Sequence, residues 1–154
     1  MQNPKAVVTS HTVTIEAPAS LVWQVLTDLS SYPEWNPFTV KVESDLTLGA
    51  PVDLYLPKPK PKQAGELMLQ REYLKLIEPE QQLSWGMAMG HRWLLEARRD
   101  QYIEVIDEQR CRYYTTDSFK GLMTGLVMKS QGQWINDGFD AIASALKVRA
   151  EALT

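Results

Sequence analysis

Apolar and polar residues alternate through residues 7–16 (VVTSHTVTIE), a β-branched run that predicts a strand. Ala17-Pro18-Ala19-Ser20 interrupts it. Leu21, Val22, Val25, Leu26 and Leu29 then recur at helical spacing, which predicts a helix over residues 18–29 with Pro18 suited to its first turn. Ser30, Ser31 and the Tyr32-Pro33 pair end it, and a short second helix or turn is expected over 31–36. Alternation resumes at Thr39, with strands predicted over 39–47, 51–57, 65–78, 82–87, 97–107 and 110–119. Asp107-Glu108-Gln109 reads as a tight polar hairpin. Residues 88–96 fit neither period: Gly90 and His91 look like a turn, while Trp93-Leu94-Leu95 are apolar.

From Lys120 to Ala152 the period changes. Leu122, Leu126, Ile135, Phe139, Ile142 and Leu146 are separated by three, four or multiples of these, and no proline intervenes. One apolar face of a long helix follows, closed by Lys147 and Arg149 near the negative pole of its dipole. Gly125, Gly132 and Gly138 each cost about 1 kcal/mol relative to alanine, so tertiary packing must hold this helix. Gly121 is the expected hinge from the last strand, and Gly132 and Gly138 are expected to leave room beside the backbone. The order is one strand, two short helices, six successive strands and a long helix. Short connections between successive strands imply an antiparallel sheet and an α+β architecture.

Strand phase predicts which side chains face inward. Val52, Leu54 and Leu56 share a face, as do Leu83, Trp85 and Met87, then Ile103 with Val105, and Tyr113, Thr115, Asp117 and Phe119. Over 65–78 the phase is ambiguous: Met68, Leu74 and Leu76 go with Glu66, Gln70 and Glu72, while Leu67, Leu69, Tyr73 and Ile77 take the other side. An inner face mixing large apolar with a few polar groups fits a lined cavity better than a dry core.

Composition narrows the function classes. A length of 154 residues predicts one domain, 1–154. A net charge of −3 argues against a nucleic-acid surface, and Lys58, Lys60 and Lys62 alternate with prolines in what reads as a stiff solvated loop. Cys111 is alone, so neither an intramolecular disulfide nor a cysteine metal cluster can form. No signal-peptide pattern and no apolar run of membrane-spanning length is present, so a cytoplasmic protein without stable membrane insertion is expected. No metal spacing, phosphate loop or dinucleotide fingerprint occurs; neither metal nor other cofactor is expected. Five tryptophans and six tyrosines against three phenylalanines favour a pocket or an interface.

The segments Ile15-Glu16-Ala17-Pro18, Val22-Trp23-Gln24-Val25-Leu26-Thr27-Asp28 and Tyr32-Pro33-Glu34-Trp35-Asn36-Pro37-Phe38 resemble the opening signature of the START-like (SRPBCC) superfamily. More narrowly, they resemble its polyketide cyclase/dehydrase and lipid-transport type. Leu83-Ser84-Trp85, Thr116-Asp117-Ser118-Phe119-Lys120-Gly121, Ala145-Leu146-Lys147 and Ala150-Glu151 extend the likeness along the chain. The departures are 57–65 and 88–96. The resemblance implies a helix-grip fold, in which a curved antiparallel sheet of about seven strands wraps a long C-terminal helix around a hydrophobic cavity. It also implies a small hydrophobic ligand, such as a lipid or polyketide. Fold alone does not choose among binding, cyclisation and condensation.

On that fold, Trp35, Phe38 and Trp85 are expected ligand contacts, with Leu54, Leu56, Met87, Ile103, Tyr113, Phe119, Ile135, Phe139 and Ile142 as further wall. Core packing is the alternative role for each. Met89, Met123 and Met128 could supply adaptable wall beside Met87, or simply fill the core. Asp117 and Glu72 are the acids that strand phase turns inward, and a desolvated carboxyl is poised for general acid–base work, with Tyr113 or Tyr55 as partner. The competing role is a structural pair with Arg71, Arg99 or Arg112. Three functions are compatible with these residues: a carrier of a hydrophobic ligand, a cofactor-independent cyclase/dehydratase, and a co-chaperone-like module whose Trp93-Leu94-Leu95 marks an interface or homodimer contact.

Overall fold

The computed structural model describes residues 1–154. The predicted first strand is two, β1 (Ala6–Thr9) and β2 (Val13–Ile15), both antiparallel to the last strand. Ser10 causes the break. Its hydroxyl accepts the Thr115 N–H at 3.0 Å and donates to the His11 carbonyl at 2.9 Å, so a side chain takes the place of a ladder bond. His11 turns out to the C-terminal helix, where its backbone N–H meets Asp140 Oδ1 at 2.8 Å.

Helix α1 (Ala19–Thr27) begins after Pro18 and buries Val22, Val25 and Leu26. A 3-10 turn (Leu29–Ser31) and α2 (Tyr32–Trp35) follow. Ser30 and Ser31 hydroxyls donate to Asp28, and the buried Tyr32 hydroxyl donates to the Leu26 carbonyl at 2.7 Å, fixing the reversal.

Strand β3 is only Lys41–Glu43, much shorter than the alternation of 39–47 predicts. Side chains hold both flanks out of the ladder: Asn36 Oδ1 accepts the N–H groups of Phe38 and Thr39, and Ser44 Oγ accepts that of Leu46. Strands β4 (Pro51–Pro57), β5 (Leu67–Glu78), β6 (Gln82–Met89), β7 (Leu95–Asp107) and β8 (Arg110–Lys120) then run as an antiparallel meander. The sheet order is β1-β8-β7-β6-β5-β4-β3, with β2 also on β8. The ambiguous stretch 88–96 therefore divides into the end of β6, a turn, and the start of β7.

Helix α3 (Thr124–Ala152) lies across the concave face and completes an α+β helix-grip fold. It starts later than its periodicity predicts. Gly121, at φ +111, turns the chain, and a Cβ there would stand 2.6 Å from the Leu94 carbonyl oxygen. Leu122 therefore precedes the helix and Leu126 lies on its outer side; they are 70% and 60% exposed instead of buried.

Two apolar clusters result. One gathers Ile15, Val22, Leu26, Ile103, Cys111, Tyr113, Ala143 and Leu146 beneath the C-terminal half of α3 and α1. The other gathers Phe38, Leu54, Leu56, Leu74, Trp85, Phe119, Ile135 and Phe139. Gly138 does not open space for a ligand as expected: the ring of Phe38 fills it, 2.4 Å from where a Cβ would stand. The second cluster borders the cavity between the sheet and α3.

Candidate functional site

A cavity of about 260 Å³ lies between the sheet and the N-terminal half of α3. β4 contributes Leu54 and Leu56; β5 contributes Met68, Gln70 and Glu72. Met87 and Met89 come from β6, Leu95, Ala97 and Arg99 from β7, and Asp117 and Phe119 from β8. Phe38 and Thr39 close one side, and Val127, Gln131, Trp134, Ile135 and Phe139 of α3 form the roof. Met89 is 46% exposed, so the cavity opens at the β6–β7 end of the sheet.

On β5 the more polar phase faces in. Met68, Gln70, Glu72 and Leu74 look toward the helix, and Leu67, Leu69 and Tyr73 lie on the exposed outer face. Beyond Leu74 a bulge shifts the pairing, so that Leu76 and Ile77 pair with Ser84 and Leu83.

Two adjacent rows of the sheet carry the polar groups. The register sets Leu74, Trp85, Arg99 and Asp117 side by side, with Val52 and Glu72 in the neighbouring row. Arg99 is 5% exposed, and its bonds run to neutral groups: Thr115 Oγ1 at 3.1 Å, Gln101 Oε1 at 3.3 Å and Thr39 Oγ1 at 3.4 Å. Its guanidinium also lies over the rings of Phe139 and Trp85, at 4.6 and 5.6 Å from the centroids. Asp117 is half-buried overall, yet its Oδ1 is shut off from solvent with no donor in reach.

Burial dominates the titration of both acids. It pushes Asp117 up to about 7, against the pull of Arg99, with Asp100 adding to the rise. Glu72 is pushed up to about 8, first by burial and then by the like charge of Asp117. The cavity therefore holds one buried cation and two carboxyls that keep protons near neutrality. Such groups can donate to a carbonyl, accept from a hydroxyl, or exchange a proton with a bound molecule.

Several expected contacts lie elsewhere. Trp85 points inward but is fully covered by its neighbours and does not reach the cavity surface. Ile103 and Tyr113 belong to the other cluster, where the Tyr113 hydroxyl donates to Gln101 Oε1 at 2.9 Å. Ile142 is fully buried one turn beyond Phe139, past the cavity floor. Trp35 packs edge-on to Tyr32 near α1, because α2 ends before the chain turns in at Phe38. Asn36 is occupied with its own turn. Tyr55 takes the outer phase, 3.4 Å from Glu43, and Arg71 pairs there with Asp53 at 2.7 Å. Trp93-Leu94-Leu95 is not one surface: Leu95 lines the cavity and Trp93 is exposed. Of the residues not singled out as contacts, Arg99 carries most of the chemistry. Its signal was the phase shared with Ala97, Gln101 and Ile103 on a long strand.

A gripped helix over a lined cavity defines a domain of the START-like superfamily. Residues 6–92 match the family described as polyketide cyclase / dehydrase and lipid transport, and the chain belongs to that family. The fold is shared with the Zhui aromatase/cyclase from Streptomyces sp. R1128, at 22% identity and TM-score 0.72 over 95% of this chain and 93% of that one. It is shared also with norcoclaurine synthase from Thalictrum flavum, solved with dopamine and hydroxybenzaldehyde, at 14% identity and TM-score 0.69 over 97% and 88%. A START superfamily protein from Mycobacterium smegmatis aligns at 17% identity and TM-score 0.63 over 96% and 99%. Comparison with curated protein sequences gives no match. No helix is long and apolar enough to cross a membrane.

Proposed function

We propose that this chain, as one domain over residues 1–154, binds a small hydrophobic ligand between the sheet and α3 and acts as a cytoplasmic carrier or binding protein. The observation that carries this reading is the cavity itself. Its wall is chiefly apolar, and it includes a carboxylate oxygen of Asp117 that no protein donor satisfies. An unpaired buried acceptor costs about 1–3 kcal/mol, which a ligand hydroxyl or amine, or the carboxyl's own proton, would offset. At about 260 Å³ the space falls just under the range of drug-sized pockets, so the occupant is small. The family and the likeness to a START protein support the same reading.

The test is saturable binding of a neutral apolar probe, N-phenyl-1-naphthylamine, followed by fluorescence. Leu56→Trp and Ala97→Leu fill the cavity and should abolish binding, while Val148→Ala on the exposed side of α3 should not. Saturable binding that survives both filling substitutions would remove the cavity from the account.

A second reading is favoured by the Asp117 carboxyl, whose protonation balances near 7. Here the domain is a cofactor-independent cyclase/dehydratase, and Asp117 exchanges the proton of a polyketide-like substrate while Arg99 faces its developing negative charge. The Zhui aromatase/cyclase lends this reading its support. Asp117→Asn should then abolish turnover and leave probe binding intact; turnover at the wild-type rate would exclude Asp117.

A further inference from the structure

Three connections meet at the open end of the cavity. The register places them there. Pro57 pairs with Leu67 at the β4–β5 loop, Met89 with Leu95 at the β6–β7 turn, and Lys120 faces Glu96 just before α3. Backbone bonds join two of them: the Leu122 N–H donates to the Trp93 carbonyl and the Met123 N–H to the Leu94 carbonyl, each at 3.0 Å. The loop lies against α3 across a shallow cleft shared by Lys58, Lys60, Ser130 and Gln131.

This end presents two kinds of side chain to solvent. Trp93, Leu122 and Leu126 are 62%, 70% and 60% exposed, and none of them lines the cavity or belongs to a core cluster. Around them stand Lys58, Lys60, Lys62, Arg92, Lys120 and Lys129, while Glu66 and Glu96 are the two carboxylates within 58–66, 90–96 and 120–130. Six cations against two acids give these segments +4, leaving −7 on the rest of a chain whose net charge is −3. Lys58 is spent on Glu66, and Lys120 Nζ donates to the Gln2 carbonyl. Lys60, Lys62, Arg92 and Lys129 take part in no salt bridge, whereas ion pairs are frequent elsewhere on the surface.

We infer that this end docks on an anionic lipid surface, with the cavity mouth against the headgroups. Tryptophan and leucine side chains that protrude from turns seat at the boundary of headgroups and acyl chains, and unpaired lysine and arginine are drawn to anionic lipid. An acidic protein would satisfy the charge. The apolar side chains, however, stand on two turns (Trp93 and Leu122) and the first turn of α3 (Leu126) and line none of the larger clefts, which suits a deformable surface better than a partner helix. The asymmetry also orients approach, since the −7 remainder is repelled by the same surface. The docking goes beyond the ligand-binding reading and does not depend on what the cavity holds.

Vesicle sedimentation with the full chain tests it, using phosphatidylcholine alone and phosphatidylcholine with phosphatidylglycerol. Partitioning to the anionic vesicles is expected at low ionic strength, with loss at about 0.5 M salt. Lys60→Glu/Lys62→Glu, and separately Trp93→Ala/Leu122→Ser/Leu126→Ser, should each lower the partition coefficient about tenfold or more. Equal partitioning to both vesicle types, no partitioning, or unchanged partitioning of both variants overturns the assignment. So does capture of an acidic protein by a chain that ignores vesicles. The lysine pair lies on a loop, which keeps the test in force if the triple variant folds poorly. None of the five residues lines the cavity, so naphthylamine binding in solution separates failure of docking from failure of ligand binding.

Discussion

The guanidinium of Arg99, on β7, lies 4.6 Å from the ring centroid of Phe139, on α3. This contact ties sheet to helix at the inner end of the cavity and places a cation beside the two cavity carboxyls, Asp117 and Glu72. Arg99 lowers both acids, although burial raises them more. Arg99→Met should therefore move Asp117 further above 7. Carboxyl chemical shifts followed against pH would read the change, and a fall in the midpoint would contradict the assignment of charges.

Stability should depend on pH through the same two acids. Their native values of about 7 and 8 lie well above the unfolded values near 4, so the native state keeps protons that the unfolded chain has released. The stabilisation from holding them neutral is complete below about pH 4 and is lost as pH rises through 7 and 8. Asp117→Asn removes one ionisation and should flatten this decline, leaving the variant more stable than the wild type by about 2 kcal/mol above pH 8. Urea midpoints across pH would show parallel curves if Asp117 were ordinarily ionised in the native state.

The glycines of α3 should respond in opposite directions. A Cβ at Gly125 meets nothing within 4 Å, so Gly125→Ala should gain about 1 kcal/mol from helix propensity. At Gly138 the Cβ would enter the Phe38 ring, so Gly138→Ala should lose about 1–3 kcal/mol despite the same propensity gain. Melting of the two variants checks this, and a stabilised Gly138→Ala would mean that Phe38 does not occupy that space.

The sheet was legible where one phase is plainly apolar. Val52, Leu54 and Leu56 are buried as alternation predicts, and the strand order follows from short turns. The fold was also legible in motifs spread from Ile15 to Glu151. β5 was harder because its inner phase carries Gln70 and Glu72, while Leu67, Leu69 and Tyr73 sit outside; hydrophobicity alone favours the wrong face there. Strand ends at 10–12 and 44–47 depend on single hydroxyl and carboxyl bonds that alternation does not encode. Within the site, phase separates inward from outward but not deep from shallow. Trp85 and Ile142 face inward like Leu54 and Phe139, and only the packing above them decides which touches the empty space.

The distribution of burial along α3 has a mechanical meaning. No residue from Gly125 to Trp134 is fully buried, whereas Ile135, Gly138, Phe139, Ile142, Ala143, Leu146 and Ala150 all are. A single helix thus has a founded end and an end resting on a void. Local opening costs least where few apolar contacts must break, so amide exchange should slow steeply from the first turns of α3 toward its last third. The roof is thus a span, pinned to Trp93 and Leu94 at its start and founded from Ile135 onward, with its least-packed turns over the void.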